Sequence, residues 1–343
     1  MKPVFLAGQE KKFSEFISDL NEKDRIAILT HTDADGLCSV VIASKVLGKI
    51  DYIKFVSYQT GIYKQISDEL KKKKINKVLF LDLAFGDEKE DVKEIEKFAD
   101  ILVIDHHPFS FDLNSSKMVF IKAESKYPAS YMCYYLFSKI QKIPSWITAI
   151  GILADMPQKY CYENCNSVFK DFSLEDSGNL WEITEDVCFA LSYLEDNHKK
   201  VYDILLKAKS LDELNLKKYA DIARKEFNDS LKKCEKEKET YGDLVFCYLN
   251  LKYQIKYLLI NKISSENQDK TFVFVKDGAI LSISARSQKI DCNELIKRAI
   301  KGLPSSSGGG HVCAAGGRLP REYLEKFKKN LIRVYRDMTN SSS

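Results

Sequence analysis

"RIAILTHTDADGLCSVVIASKVLG" spans residues 25–48, and two hydrophobic periods meet inside it. Up to Thr30 the residues are apolar and rich in β-branching, which reads as a strand. From about Gly36 to Gly48 the spacing is helical. Between them lie His31, Asp33 and Asp35 in alternation, at positions usually filled for turn chemistry. In an extended segment residues two apart point to one side, so these three side chains are expected to project together. Gly36 then lets the backbone turn into the helix.

The same unit recurs downstream. "YIKFVSY" (52–58), "KVLFLDLA" (77–84) and "DILVIDHH" (100–107) are apolar runs, separated by helical patterns at about 61–73 and 87–98. A helix over 11–20 precedes them. Strands alternating with helices predict an α/β fold with a doubly wound parallel sheet, whose ligands bind at the carboxyl ends of the strands. Three of the four strands end in acids or histidines, so these groups should converge on one edge. Helical patterns follow at 129–141 and 145–154, then a lysine-rich, acid-balanced stretch over 180–240. Beyond Gly242 come the strands "LVFCYL", "TFVFVKD" and "AILSISARS", a helix at 291–301, the glycine-rich "SSSGGGHVCAAGG" and a last helix. The expected organisation is a catalytic domain over 1–165, a solvated helical connector over 166–240 and a smaller α/β substrate-binding domain over 241–343.

Composition sets the outer limits. The 343 residues are 45% apolar and 30% charged, ordinary for a soluble globular chain. No apolar run approaches the roughly 20 residues that span a bilayer, and the N-terminus lacks a secretory core. A cytoplasmic location without membrane contact is expected. The nine cysteines are scattered, with Cys161 and Cys165 the closest pair, and read as small buried apolar residues rather than a zinc site. A net charge of +4 permits nucleic acid as a partner without demanding it.

Histidine is scarce and concentrated. Of five, His31, His106, His107 and His311 stand beside acids or glycines, whereas His198 lies in a lysine-rich helical stretch and reads as a surface residue. Four segments, "HTDADG", the Asp82 run, "DHH" at 105–107 and Asp155 in "GILADM", offer His31, Asp33, Asp35, Asp82, Asp105, His106, His107 and Asp155. Clustered carboxylates repel one another unless cations neutralise them. Mixed Asp and His donors suit Mn2+, with Mg2+ or Zn2+ less favoured.

Those four segments, in that order, resemble the four motifs of the DHH phosphoesterase family, and "SARS" with "GGGHVCAAGG" resembles the C-terminal domain found in many members. The resemblance covers nearly the whole chain except the helical stretch at 160–240. It implies two divalent cations, one held by His31 and Asp33, the other by Asp35, His106 and Asp155, with Asp82 bridging. Asp105 would orient a neighbouring histidine and His107 would face the substrate phosphate or leaving group, while a water activated by both metals attacks phosphorus. Arg286 and the glycine-rich loop of Gly308, Gly309, Gly310 and His311 would bind substrate phosphate.

A single residue, Thr32, separates His31 from Asp33, a spacing more similar to archaeal RecJ-like exonucleases than to members acting on very short RNAs. The favoured function is therefore a metal-dependent exonuclease on single-stranded DNA or RNA. An oligoribonuclease or nucleotide bisphosphate phosphatase is the alternative, with a cyclic-dinucleotide phosphodiesterase or pyrophosphatase less favoured. Single-stranded nucleic acid or short oligonucleotides, and replication or repair proteins, are the expected partners. From another class comes a non-catalytic scaffold in a replication or repair assembly; the complete acid and histidine set argues against it.

Overall fold

The computed structural model of the protein describes residues 2–57, 61–155, 164–170 and 174–340. It divides into two compact units, Met1–Ala220 and Asp221–Ser343.

The first unit is built on a six-stranded sheet. Its elements run β1 (Phe5–Ala7), α1 (Glu10–Ser18), β2 (Ile26–His31), α2 (Ala34–Leu47), β3 (Tyr52–Val56), α3 (Ile62–Lys72), β4 (Lys77–Leu81), α4 (Lys89–Glu96), β5 (Asp100–Asp105), β6 (Met118–Ala123), α5 (Ala129–Phe137) and α6 (Ser145–Asp155). The strand order is β1-β6-β5-β4-β2-β3, all parallel except β1 against β6. The chain steps outward from β2 to β3, then returns to the other side of β2 to place β4. This reversal makes β2 and β4 the switch point of the sheet, where the loops after adjacent strands part and leave a crevice.

Side-chain periodicity explains the layers. In α3 the buried residues Ile62, Tyr63, Ile66 and Leu70 recur at helical spacing, and with Val92 and Ile95 of α4 they pack on Ala27, Leu29, Val78, Phe80, Ile101 and Val103. Residues Ala34–Ser44 of α2 are buried all round, because α2 lies against the sheet and is also packed by α5 and α6. An apolar helix with no polar stripe belongs in such a middle position. The "KKKK" run ends α3, placing Lys71 and Lys72 in its last turn, where cations oppose the negative end of the dipole.

Helices α7 (Asn166–Phe169), α8 (Leu174–Tyr193), α9 (His198–Lys207) and α10 (Lys217–Glu237) follow. Within the stretch read as a solvated connector over 166–240, α8 and α9 are packed rather than solvated. Leu180, Val187, Phe189 and Leu191 of α8 and Val201, Tyr202 and Leu205 of α9 are buried, with α8 against α6 and α9 against α2. Helices α7, α8 and α9 lie within the first unit, and most of α10 lies within the second.

The second unit has elements β7 (Glu239–Tyr241), β8 (Leu244–Leu249), α11 (Lys256–Glu266), β9 (Thr271–Lys276), β10 (Ile280–Arg286), α12 (Cys292–Ile300), β11 (Ser307–Gly310), β12 (Ala314–Pro320) and α13 (Leu324–Asn340). Its sheet order is β11-β12-β10-β9-β8-β7, antiparallel except for β8 against β9. One face packs on α12 and α13 through Phe246, Val273, Ile283, Leu295, Ile296, Phe327 and Leu331. The other face carries α11.

Two cysteines depart from the expected apolar role. Cys234 and Cys247 form a disulfide between α10 and β8. Cys38, Cys133, Cys165, Cys188 and Cys292 are buried thiols as expected, whereas Cys313 is exposed; Cys161 lies outside the described residues. Among the described residues no helix is long and apolar enough to cross a membrane.

Candidate metal centre

The ends of β2, β4 and β5 are adjacent at the switch point, and each delivers part of one cluster. His31 closes β2, and its Nδ1 lies 2.7 Å from Asp33 Oδ2. Asp33 is the N-cap of α2, its other oxygen accepting the Gly36 N–H at 2.9 Å. The chain is already helical from Ala34, so the two-residue alternation does not aim Asp35. Asp35 instead stands in the first turn of α2, held by the backbone N–H groups of Ala129 (2.7 Å) and Ser130 (2.9 Å) at the start of α5. Gly36 is needed for space rather than for a turn: a Cβ there would lie 2.6 Å from the His31 carbonyl oxygen.

Asp82, directly after β4, occupies the centre. Its Oδ2 is 3.8 Å from His31 Nδ1, and its Oδ1 is 3.5 Å from His106 Nε2 and 3.9 Å from His107 Nδ1. Both carboxylate oxygens are buried without a hydrogen-bond partner, and the residue has φ of 58°. A left-handed backbone on a non-glycine residue and two orphaned anionic oxygens are each unfavourable, and strain of this kind gathers at functional sites. The chemistry that relieves such a carboxylate is a cation.

His106 is aimed by its other nitrogen. Nδ1 sits 3.1 Å from the Ser125 carbonyl, which can only accept, so Nδ1 carries the proton and Nε2 turns to the acids. The Ser125 hydroxyl in turn donates to the His106 carbonyl at 3.0 Å. Nε2 also lies 3.9 Å from Asp35 Oδ2 and 3.9 Å from Asp155 Oδ2, at the end of α6. Asp105, fully buried, accepts from His107 Nδ1 at 2.7 Å and forms an ion pair with the buried Lys122.

Donor atoms therefore gather in three overlapping sets, each within 4.8 Å: His31, Asp33 and Asp82; Asp35, His106 and Asp155; Asp82, His106 and His107. The first two sets bring together the residues expected to share a cation, and Asp82 belongs to the first and third. The electrostatics is that of an acid cluster awaiting positive charge. Burial, then the Asp155 carboxylate, pushes the Asp35 carboxyl up to about 7. Burial and the Asp33 and Asp35 charges push Asp82 well above the carboxylate range. Burial would lower His106, but Asp155 and Asp82 raise it well above the usual imidazole value. Burial opposes the charged form of Asp105 too, yet His107 and Lys122 bring it below its ordinary value. A donor set of six carboxylate or imidazole groups beside Asp82, whose oxygens lack a hydrogen-bond partner, fits hard to borderline divalent cations.

Residues 25–154 match the DHH family, N-terminal domain, and residues 249–337 match the DHHA1 domain. The chain belongs to the DHH family. Among solved structures it resembles RecJ from Thermus thermophilus in complex with Mn2+, at TM-score 0.73 and 16% identity over 98% of this chain. It spans 56% of that RecJ chain, about half its length. It also resembles an exonuclease RecJ bound to manganese, at TM-score 0.68 and 15% identity, covering 96% of this chain and 94% of that one. A third likeness is CDC45 from Entamoeba histolytica, at TM-score 0.55 and 13% identity, covering 95% and 99%. At such identities the likeness is one of fold. No curated protein matches the chain by sequence.

The other expected site residues lie in the second unit. Arg286 ends β10, its Nε donating to Asn261 Oδ1 at 2.8 Å and an Nη to the Ala285 carbonyl at 2.9 Å. Gly308, Gly309 and Gly310 form edge strand β11, paired with β12, and the His311 N–H donates to the Ala314 carbonyl at 2.8 Å in the hairpin turn. Gly308 has a packing reason of its own: a Cβ would stand 2.7 Å from Ile296 Cγ2.

Some participants escaped the reading of the sequence. Lys122, Ser125 and the Ala129 and Ser130 amides support the cluster from β6 and the start of α5, outside the four motifs. His198, expected on the surface, is partly buried and stacks on Phe55 with ring centroids 5.4 Å apart. Its pKa is lowered, first by burial, and His31 and Asp33 are among the charges it feels. Its rarity as a histidine was the available signal.

Proposed function

We propose that the first unit holds two divalent cations, Mn2+ in preference to Mg2+ or Zn2+, and hydrolyses phosphodiesters of single-stranded DNA or RNA from a strand end. His31 and Asp33 hold one cation, Asp35, His106 and Asp155 the other, and Asp82 is shared. The single observation behind this is Asp82, strained, buried and without a hydrogen-bond donor, 3.5–3.9 Å from three imidazoles. Bound cations supply positive charge that polarises phosphoryl oxygens and acidifies water. The protein's own groups do the rest. Asp33 and Asp105 hold His31 and His107 through Nδ1, the Ser125 carbonyl holds His106, and two amides hold Asp35. With Nδ1 engaged by Asp105, His107 acts through Nε2 on the phosphate or on the leaving oxygen. In the second unit, Arg286 and the 308–311 strand and turn bind substrate phosphate.

Thermus RecJ has been crystallised with Mn2+ and, separately, with Mg2+, which supports a site of this type. The spacing of the first motif favours long strands over dinucleotides. A non-catalytic scaffold is the second reading, supported by the fold shared with CDC45. Strands of several lengths, labelled at either end and incubated with Mn2+, separate these readings: an exonuclease shortens them from one end, an oligoribonuclease degrades only the shortest, and a scaffold leaves all intact.

A further inference from the structure

Ser282 on β10 stands opposite Lys276 on β9 and opposite Arg318 on β12. Directly opposed residues in antiparallel strands share a face, so one row across three strands carries Lys276, Ser282 and Arg318. Arg286, four residues along β10, shares that face by the two-residue period. This is the face that α11 covers. Lys256, the first residue of α11, donates from Nζ to Ser282 Oγ at 2.7 Å, and Asn261 of the same helix accepts from Arg286. Lys276 donates to the Tyr253 carbonyl at 3.3 Å.

Lys256 is only 8% exposed, and among the described residues no carboxylate pairs with it. The charges it feels are those of Arg286, Lys276 and Arg318, and burial first, then these cations, hold it well below the lysine range. It also occupies the positive end of an 11-residue helix, where a cation is disfavoured and an anion welcome. A hydroxyl cannot offset three like charges. Burial and these neighbours therefore favour the neutral amine of Lys256, and an anion at its tip would restore the ammonium.

We propose that Lys256, Ser282, Lys276 and Arg318 form an oxyanion site on the α11 face of the second unit, taking a phosphate group from a nucleic-acid strand or as free inorganic phosphate. The site rests on the reading that this chain handles phosphoesters, and it is a second phosphate contact beside that of Arg286. The row spans three strands, so the anion would meet the tip of Lys256 with Lys276 and Arg318 on either side of Ser282.

The test uses the full chain with divalent cations removed by EDTA. Thermal unfolding is followed with and without inorganic phosphate, and binding of a dye-labelled single-stranded oligonucleotide by anisotropy, for the wild type, Lys256→Met and Arg318→Gln. Phosphate is expected to raise the wild-type unfolding temperature. Lys256→Met should abolish that increment and, by removing a buried amine surrounded by cations, unfold at a higher temperature in its absence. Arg318→Gln, an exposed position, should reduce the increment and serves if Lys256→Met does not fold. Oligonucleotide affinity falling about tenfold in both variants assigns the site to strand phosphate; affinity unchanged with the increment lost assigns it to free phosphate. A phosphate increment and an oligonucleotide affinity both unchanged in whichever variants fold overturn the site. Because no cation is present, that failure is distinct from failure of the hydrolytic reading, which shows as absent Mn2+ binding or turnover.

Discussion

Asp105 and Lys122 are register partners on the adjacent parallel strands β5 and β6, joined in an ion pair from which solvent is excluded. The other oxygen of Asp105 receives the His107 Nδ1 proton. The lysine thus fixes the carboxylate that fixes the imidazole. Removing one partner of a buried pair leaves an uncompensated charge, so Lys122→Met should destabilise the protein by about 3–5 kcal/mol. Adding Asp105→Leu should recover much of that stability without restoring the wild-type pH profile of turnover. Denaturant unfolding and pH–rate curves of the single and double variants check both halves.

Asp82 carries the opposite signature, a residue whose replacement should help folding. Asp82→Gly removes a left-handed aspartate and two orphaned buried oxygens. The metal-free protein should gain about 1–3 kcal/mol. Mn2+ affinity and turnover should fall almost completely. Unfolding in EDTA beside a Mn2+ titration reads both, and an Asp82→Gly variant that unfolds earlier and binds Mn2+ normally would remove Asp82 from the centre of the site.

Protons and cations compete for the same atoms. Asp35 titrates at about 7, and Asp82, Asp155, His31 and His106 all hold protons above their ordinary values. A cation must displace those protons, so affinity rises with pH, by about tenfold per unit for each proton released. In the metal-free protein the sign is reversed. A carboxyl raised from 3.8 to about 7 gives stability that is complete at low pH and is lost as pH rises through about 7. Mn2+ titrations and metal-free unfolding at about pH 6 and about pH 8 should therefore move in opposite directions.

Arg286 is oriented by Asn261 before any substrate arrives. Arg286→Ala removes a charge-assisted contact of roughly 1.5–3 kcal/mol, a loss of about tenfold to a hundredfold in kcat/KM. The loss should appear in KM, with Mn2+ binding unaltered. Steady-state kinetics decides, and unchanged KM and kcat would separate Arg286 from the reaction.

The parallel sheet was readable because β2, β4 and β5 are short, unbroken apolar runs punctuated by acids and histidines at one end. β6 was not, and Lys122 is the reason: a charge within "MVFIKA" disguises a buried strand, yet the charge is there for Asp105. β11 was obscured because its glycines look like a loop, whereas Gly308 is small to admit Ile296. The convergence of His31, Asp33 and Asp35 was anticipated, but for a strand geometry that stops at the N-cap. What no spacing encodes is the hydrogen-bond partner of each ligand, such as the Ser125 carbonyl that accepts from His106 or the Ala129 amide that donates to Asp35, since those contacts arise only when distant segments pack. The helices α8 and α9 were misjudged because their charged faces dominate the sequence while their apolar faces are spent on α6 and α2.

End-labelled single strands test the two-cation nuclease reading most directly. With Mn2+, the purified chain should release label from one end of long DNA or RNA, progressively, and EDTA should stop it. Strands of every length remaining intact while the protein demonstrably binds Mn2+ would contradict it and leave a metal-binding scaffold in its place.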